Sequence, residues 1–337
     1  MINAQEANDN GRYVFICGLH RSGTSVLGRN IARMENCTGF EDTGAIEDEG
    51  QFLQDVYPIS KVYGGAGKFG FDPRAHLTET SPLFTPENSV KLRQSWERYW
   101  DHNKPIRVEK TPGNLLKTRF LQAAFPNSYF IVIRRHPIPV SMASQNWKIT
   151  FAPLHKLFDH WLHCHAVFDE DKNYLKHVYE LNYEDYVLNP DKYHREIAQF
   201  IGSAVPENAM KEVTGVYNRK YLSRWFDLLH KSRFRRYYRY IAVNYESRFA
   251  EYGYSLTGES GFTPEQLREA EQISDRAGAL SYFAADAYAL MVRSMTRSKA
   301  YVKAQLRARL PGRLKAVIQR FLQKAPLTKK QPDAVAP

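Results

Sequence analysis

The sequence of 337 residues is poor in cysteine: Cys17, Cys37 and Cys164 are the only three, widely spread and odd in number. That excludes a disulfide scaffold. No CxxC pair and no His/Cys metal spacing is present, so the sequence reads as a reduced, cytoplasmic-type protein without a bound metal. Long apolar runs are also missing, and none approaches the roughly 20 residues that a membrane-crossing helix needs. The opening MINAQEANDN is polar and has no apolar stretch of the kind a secretory signal requires, so the sequon Asn36-Cys37-Thr38 carries no expectation of glycosylation. Acidic residues are the minority charge, 36 against 47 Lys and Arg, and the formal net charge of +11 favours anionic partners. No nucleic-acid motif accompanies that charge, which points away from nucleic acid and toward a small polyanionic ligand or a membrane surface.

What is present is a strand–helix alternation. Tyr13–Cys17 (YVFIC) and Tyr129–Ile133 (YFIVI) are short continuous apolar runs, the mark of strands buried on both faces. Arg107–Val108 and Val178–Leu181 are weaker strand candidates. Helices are expected over Leu115–Phe125, Pro139–Trp147, Pro153–Val167 and Asp191–Ile201, the last stopped by Gly202. Thr38–Gly50 is acidic and reads as loop, and Tyr63–Asp72 is glycine-rich. The alternation predicts an α/β fold with a central parallel sheet flanked by helices, P-loop-like and three-layered. A helical C-terminal extension follows, with helices over Glu265–Thr296 and Ala300–Lys324. The expected organisation is a flexible N-terminus (1–11), one catalytic domain (12–258), the extension (259–325) and a disordered tail (326–337). No internal repeat is found.

Gly18-Leu19-His20-Arg21-Ser22-Gly23-Thr24-Ser25 lies between the first strand and a helix. A loop there aims backbone N–H groups and a helix N-terminus at an anion. The spacing of Gly18 and Gly23 matches the start of a nucleotide-binding P-loop, but Thr24 stands where that motif has lysine. A nucleoside triphosphatase needs that lysine on the β- and γ-phosphates, so its absence argues against ATP chemistry. Arg21 is the nearby cation, and a guanidinium suits a terminal phosphate or sulfonate. A second anion site is expected at Arg134-Arg135-His136-Pro137, where a strand ends and a helix begins.

These segments resemble the sulfotransferases that use 3′-phosphoadenosine 5′-phosphosulfate (PAPS). FICGLHRSGTSVL is similar to their 5′-phosphosulfate loop, in the RSGT[ST] form of the tyrosylprotein and many bacterial branches; the cytosolic branch has lysine in place of Arg21. The resemblance implies that Arg21, Ser22, Gly23, Thr24 and Ser25 hold the 5′-phosphosulfate. FIVIRRHPIPVSMASQNW resembles the 3′-phosphate motif, with Arg135 as its arginine. The motif's serine falls at Ala143, so Ser141 or Ser144 would take its place. LNYEDYVLNPDKYHREIAQFIG resembles a structural segment of the family, and YNRKYLSRW, with Arg219, Lys220 and Trp225, lies where members close over the nucleotide. The resemblance spans about 12–255. It implies sulfuryl transfer to a hydroxyl or amine with PAPS as donor and no metal, the donor's charge being met by Arg and Lys.

Sulfuryl transfer also needs a group to take the acceptor's proton. Glu109-Lys110-Thr111-Pro112 resembles the EKTP segment of the heparan-type sulfotransferases, which implies Glu109 as base and Lys110 on the bridging oxygen. Glu47-Asp48-Glu49 resembles the acidic segment of the tyrosylprotein branch, which makes Glu49 or Glu47 the competing base. Glu109 is preferred, because a base followed by a cation suits the chemistry. A plain ion-paired carboxylate would also account for it. His155, His160, His163 and His165 recur on one expected helix without matching carboxylates and read as a packed or surface face. The acceptor expected from the tryptophans and tyrosines is a carbohydrate or glycolipid. The basic stretch from Arg293 is expected to be a solvated helix with one packed face, with a peripheral membrane contact as the sharper reading. The alternatives are a P-loop nucleotide kinase or triphosphatase, and a non-catalytic basic binding protein. Oligomeric state is not readable.

Overall fold

The computed structural model describes residues 11–145, 152–207, 213–232 and 235–258, with a few positions beyond them. The chain divides into two units, Met1–Asp286 and Ala287–Pro337, and the described sheet lies in the first. The expected helices over Glu265–Thr296 and Ala300–Lys324 fall almost wholly outside the described residues, as do the basic stretch from Arg293 and Trp147.

Strand β1 (Arg12–Gly18) passes through residues 19–23 into helix α1 (Thr24–Ala32) and then β2 (Cys37–Gly39). A long passage of short 3-10 turns leads to α2 (Pro86–Glu97). There follow β3 (Ile106–Lys110), α3 (Thr118–Ala124), β4 (Ser128–Arg134), α4 (Pro137–Gln145) and α5 (Leu154–Asp171). The last described elements are β5 (Val178–Asn182), α6 (Tyr183–Leu188), α7 (Pro190–Ile201), α8 (Val216–His230) and α9 (Arg235–Ala250). The strands make one parallel sheet in the order β2-β3-β1-β4-β5. This is the expected α/β architecture.

The pleat sends successive side chains to opposite faces. Tyr13, Phe15, Cys17, Phe130 and Val132 pack on one face with Trp96, Phe120 and Phe125. Val14, Ile16, Ile131 and Ile133 pack on the other with Leu27, Ile31 and Ile197. Both faces are covered, which is why the strands read as unbroken apolar runs.

Two local expectations change. The loop expected from Thr38 begins only after Gly39, because Cys37–Gly39 pairs with Ile106–Val108 as a short edge strand. The helix expected over Leu115–Phe125 is instead a 3-10 turn, Pro112–Leu116, followed by α3. Lys117, at φ −136°, separates the two.

For function the important consequence is the adjacency of β3, β1 and β4. Ile16 pairs with Lys110 and Gly18 with Ile133, so the carboxyl ends of all three strands reach one edge of the sheet. Ligands of open α/β sheets bind at that edge, where the strand order reverses.

Candidate active site

The phosphate loop is built by two glycines that no other residue could replace without movement. A Cβ at Gly18 would lie 2.6 Å from the carbonyl oxygen of Ile133. Gly23 has φ 97°, and a Cβ there would lie 2.6 Å from the Tyr183 ring. Gly23 caps α1 without a side-chain hydrogen bond, and the first turn of the helix holds no acid. The helix N-terminus therefore faces the loop with N–H groups that favour an anion. Ser22 donates its N–H to the carbonyl of Leu19 at 3.0 Å and closes the loop. Its hydroxyl is fully buried and has no protein partner. Thr24 is buried, whereas Arg21, in the left-handed region at φ 73°, is exposed. Ser25 reaches the Glu47 carboxylate at 3.5 Å.

The second arginine pair divides. Arg134, partly buried, meets Asp169 and Glu180. Arg135 is buried and ties three elements together. Its Nη1 donates to the carbonyl of Arg21 at 2.6 Å, its Nε donates to Asn218 Oδ1 at 2.9 Å, and its guanidinium lies 4.2 Å from the Tyr183 ring centre. Asn218 in turn donates to Glu184, which also accepts the N–H of His136. Trp161 Nε1 donates to the Arg135 carbonyl at 3.0 Å. Arg135 Nη2 is left buried without a partner. Burial disfavours its charge, but the nearby Tyr183 and Glu184 oppose that effect. A buried cationic donor without a partner calls for an anion. The two serines behave differently: Ser144 donates to the Val140 carbonyl of its own helix, and the Ser141 hydroxyl is buried with no protein partner.

The carboxylates occupy distinct settings. Glu109 is 1% exposed. Its Oε1 accepts the Gly50 N–H at 2.9 Å and the Thr111 hydroxyl at 2.5 Å, and its Oε2 accepts Asn114 Nδ2 at 2.5 Å. Burial pushes its pKa up to about 7 despite those donors. Lys110 points to the other side of β3, where its stem packs on Gly28 of α1. Its Nζ donates to the Glu47 carbonyl at 2.9 Å and to Glu49 Oε1 at 3.3 Å. Glu49 Oε2 accepts Gln51 Nε2 at 2.6 Å. Burial raises the Glu49 pKa, and Lys110 pulls against that rise. Glu47 and Asp48 both have left-handed backbone, φ 54° and 49°. Thr43 holds that turn through its N–H and hydroxyl, both donated to Asp48 Oδ1.

The structure therefore brings Arg21, Arg135, Lys110 and Glu49 into connected segments around the phosphate loop and places Glu109 beneath them. Sequence reasoning missed Asn218 and Gln51, whose only signal is their contacts, and treated Tyr183 as structural where it stacks on Arg135. Trp225 is buried in the core and donates to the Leu256 carbonyl. Trp96, Trp100 and Trp161 are equally buried, each donating to a backbone carbonyl. Of the four histidines on α5, His155, His160 and His165 are buried and His163 stacks on Phe71. Among the described residues no group of three or more His, Cys, Asp or Glu side chains is placed to hold a metal ion, and no helix is long and apolar enough to cross a membrane.

Fold and site together define an α/β protein with two groups of anion-favouring donors, the 18–25 loop and Arg135, at one sheet edge. The model of the sulfotransferase family matches residues 13–207, and the chain belongs to that family. No curated protein matches it. Among solved structures it is similar to sulfotransferase STF1 from Mycobacterium tuberculosis, at 14% identity, TM-score 0.39, covering 61% of this chain and 72% of that one. A sulfotransferase from Alicyclobacillus acidocaldarius gives 16%, 0.38, 63% and 90%. The sulfotransferase domain from the curacin biosynthetic pathway gives 16%, 0.40, 78% and 98%. Likeness this distant carries no argument about the site.

Proposed function

We propose that the protein transfers a sulfuryl group from PAPS to an acceptor hydroxyl, within residues 12–258. The observation that carries this reading is Arg135: a buried guanidinium bonded to the phosphate loop, with its Nη2 still unpartnered. PAPS differs from ATP in having a 3′-phosphate besides its 5′ chain, and Arg135 beside the 18–25 loop would supply a second anion site. The 5′-phosphosulfate lies along the loop N–H groups, Ser22 and Thr24, with Arg21 over its outer oxygens, and the 3′-phosphate meets Arg135.

In the reaction the acceptor oxygen attacks sulfur in line while the bond from sulfur to the bridging phosphate oxygen breaks. The bisphosphate, 3′-phosphoadenosine 5′-phosphate (PAP), leaves with that electron pair. We assign the acceptor proton to Glu49 and the bridging oxygen to Lys110. As Glu49 takes the proton it loses its charge, and the Lys110 ammonium is released toward the leaving oxygen. Glu109, with both oxygens occupied, is a positioning residue in this scheme. Buried, unpaired Cys17, Cys37 and Cys164 support a reducing, cytoplasmic setting. The carbohydrate acceptor loses the support of Trp96, Trp100 and Trp161, which are buried and cannot stack on a sugar.

Thermal melting tests the donor. PAP at about 100 times its Kd should add about 2.7 kcal/mol of stability, and ATP should add none. A melting temperature raised equally by ATP, or by neither, contradicts the proposal.

A further inference from the structure

Asn218, in the first turn of α8, stands between two charged groups. Its Oδ1 accepts the Arg135 Nε–H at 2.9 Å, and its Nδ2 donates to Glu184 Oε1 at 2.7 Å. The residue is buried, as is Arg135. Tyr183, the neighbour of Glu184 on α6, reinforces the arrangement. Its ring lies 4.2 Å from the Arg135 guanidinium, and its hydroxyl donates at 3.0 Å to the carbonyl of Thr214, just ahead of α8. Glu184 is held independently of the arginine: its Oε1 also accepts the His136 N–H at 3.2 Å, and its Oε2 accepts the Tyr254 hydroxyl at 3.4 Å. Thus α6 and α8 grip one guanidinium together, and the link between its charge and the nearby carboxylate is a neutral amide.

A carboxylate bonded to Arg135 in place of that amide would cancel its charge and repel an incoming anion. An amide instead fixes the orientation of the guanidinium by one hydrogen bond and leaves the charge available. It also leaves Nη2, buried and without a protein partner, to donate to a ligand. The Glu184 charge meanwhile rests on three donors, from Asn218, His136 and Tyr254. We infer that Asn218 is a positioning residue for the donor's 3′-phosphate. It aims Arg135 without neutralising it, and so sets the preference for a 3′-phosphorylated nucleotide over one with a free 3′-hydroxyl. The inference rests on the PAPS reading and adds to it a residue that decides between nucleotides by acting through Arg135.

Calorimetry on the full chain with PAP and with adenosine 5′-phosphosulfate tests it, the ratio of the two affinities being the readout. A contact that only braces the fold would weaken both nucleotides together and leave the ratio alone. Asn218→Asp keeps the shape and the acceptor for Arg135 but sets a carboxylate against it. The ratio is expected to fall at least about 30-fold, with adenosine 5′-phosphosulfate changing less than about threefold. Asn218→Ala frees Arg135 from its aim and should lower the ratio about 3–10-fold, one hydrogen bond's worth. Melting temperatures show whether each variant is folded. If Asn218→Asp is not, because its carboxylate faces Glu184, Asn218→Ala decides. PAP bound by the wild type with a ratio unchanged in the folded variants overturns the inference and leaves the donor reading intact. Failure of the wild type to bind PAP overturns both.

Discussion

Glu109 accepts the backbone N–H of Gly50 at 2.9 Å and thereby fixes the turn that presents Glu49 to Lys110. The fit is close: a Cβ on Gly50 would lie 2.6 Å from Glu109 Oε1. Trp96 holds the same residue from the other side by donating to its carbonyl at 3.0 Å. One carboxylate thus serves as the support for another.

The two carboxylates are separated by their glutamine variants. Glu49→Gln should lower kcat by about 10²–10⁴, the range for loss of a general base, with PAP affinity unchanged. Glu109→Gln should keep kcat within about tenfold. Asn114 Oδ1 is buried without a partner, so the Asn114 amide can turn over and accept from the amide that Glu109→Gln introduces. Steady-state kinetics with PAP binding as control measures both. A Glu109→Gln loss as deep as that of Glu49→Gln would return the base to Glu109.

The buried Glu109 carboxyl also sets a pH dependence of stability. Its folded pKa, about 7, lies above its ordinary value of 4.5. Between those pH values the unfolded chain gives up the proton and the folded chain keeps it, so the contribution of this group to stability falls as pH rises from 4.5 to 7 and then levels. The fall should be a few kcal/mol. Buried His20, His136, His160 and His165, whose folded pKa values lie below 6.5, add stability as pH rises through the same window. The Glu109 contribution is therefore read as the difference between wild type and Glu109→Gln in urea unfolding, the variant gaining more stability with rising pH. Equal slopes in the two proteins would contradict the assignment.

Arg135→Ala should weaken PAP by about 2–3 kcal/mol, some 30- to 150-fold, because it removes a charge-assisted contact and the clamp on the Arg21 carbonyl. Adenosine 5′-phosphosulfate, which lacks the 3′-phosphate, should lose far less. Parallel titrations of the two nucleotides give the difference, and an equal loss for both would mean that Arg135 only braces the loop.

The placement of the 18–25 loop and of Arg135 at strand ends was legible in the sequence because both segments are local. The loop 18–25 and the Arg135 turn each follow an apolar strand run directly, so residue order alone places them at strand ends. The pairing of Glu49 with Lys110 was not legible, since it joins residues 61 positions apart through an edge strand of three residues, Cys37–Gly39, too short to leave a periodic pattern. Preference for Glu109 followed from its being next to Lys110 in sequence. Strand alternation puts neighbouring side chains on opposite faces, and that same adjacency sends Glu109 into the core.

Gly23 offers a test of the loop itself. Gly23→Ala would combine a left-handed backbone with a contact on Tyr183, the ring that lies under Arg135. The expected cost is about 2 kcal/mol or more, with PAP binding weakened at least tenfold. Melting and titration of the variant check it, and an alanine that leaves both unchanged would mean that the loop relaxes freely.

In the proposed function one sheet edge holds the donor by its two anionic ends. Isothermal calorimetry of the purified chain with PAP, with ATP as control and with Arg21→Ala and Arg135→Ala alongside, tests this most directly. Tight binding of PAP, none of ATP, and loss of PAP binding in both variants is the expected result. Binding of ATP in place of PAP, or PAP binding indifferent to both arginines, would contradict it.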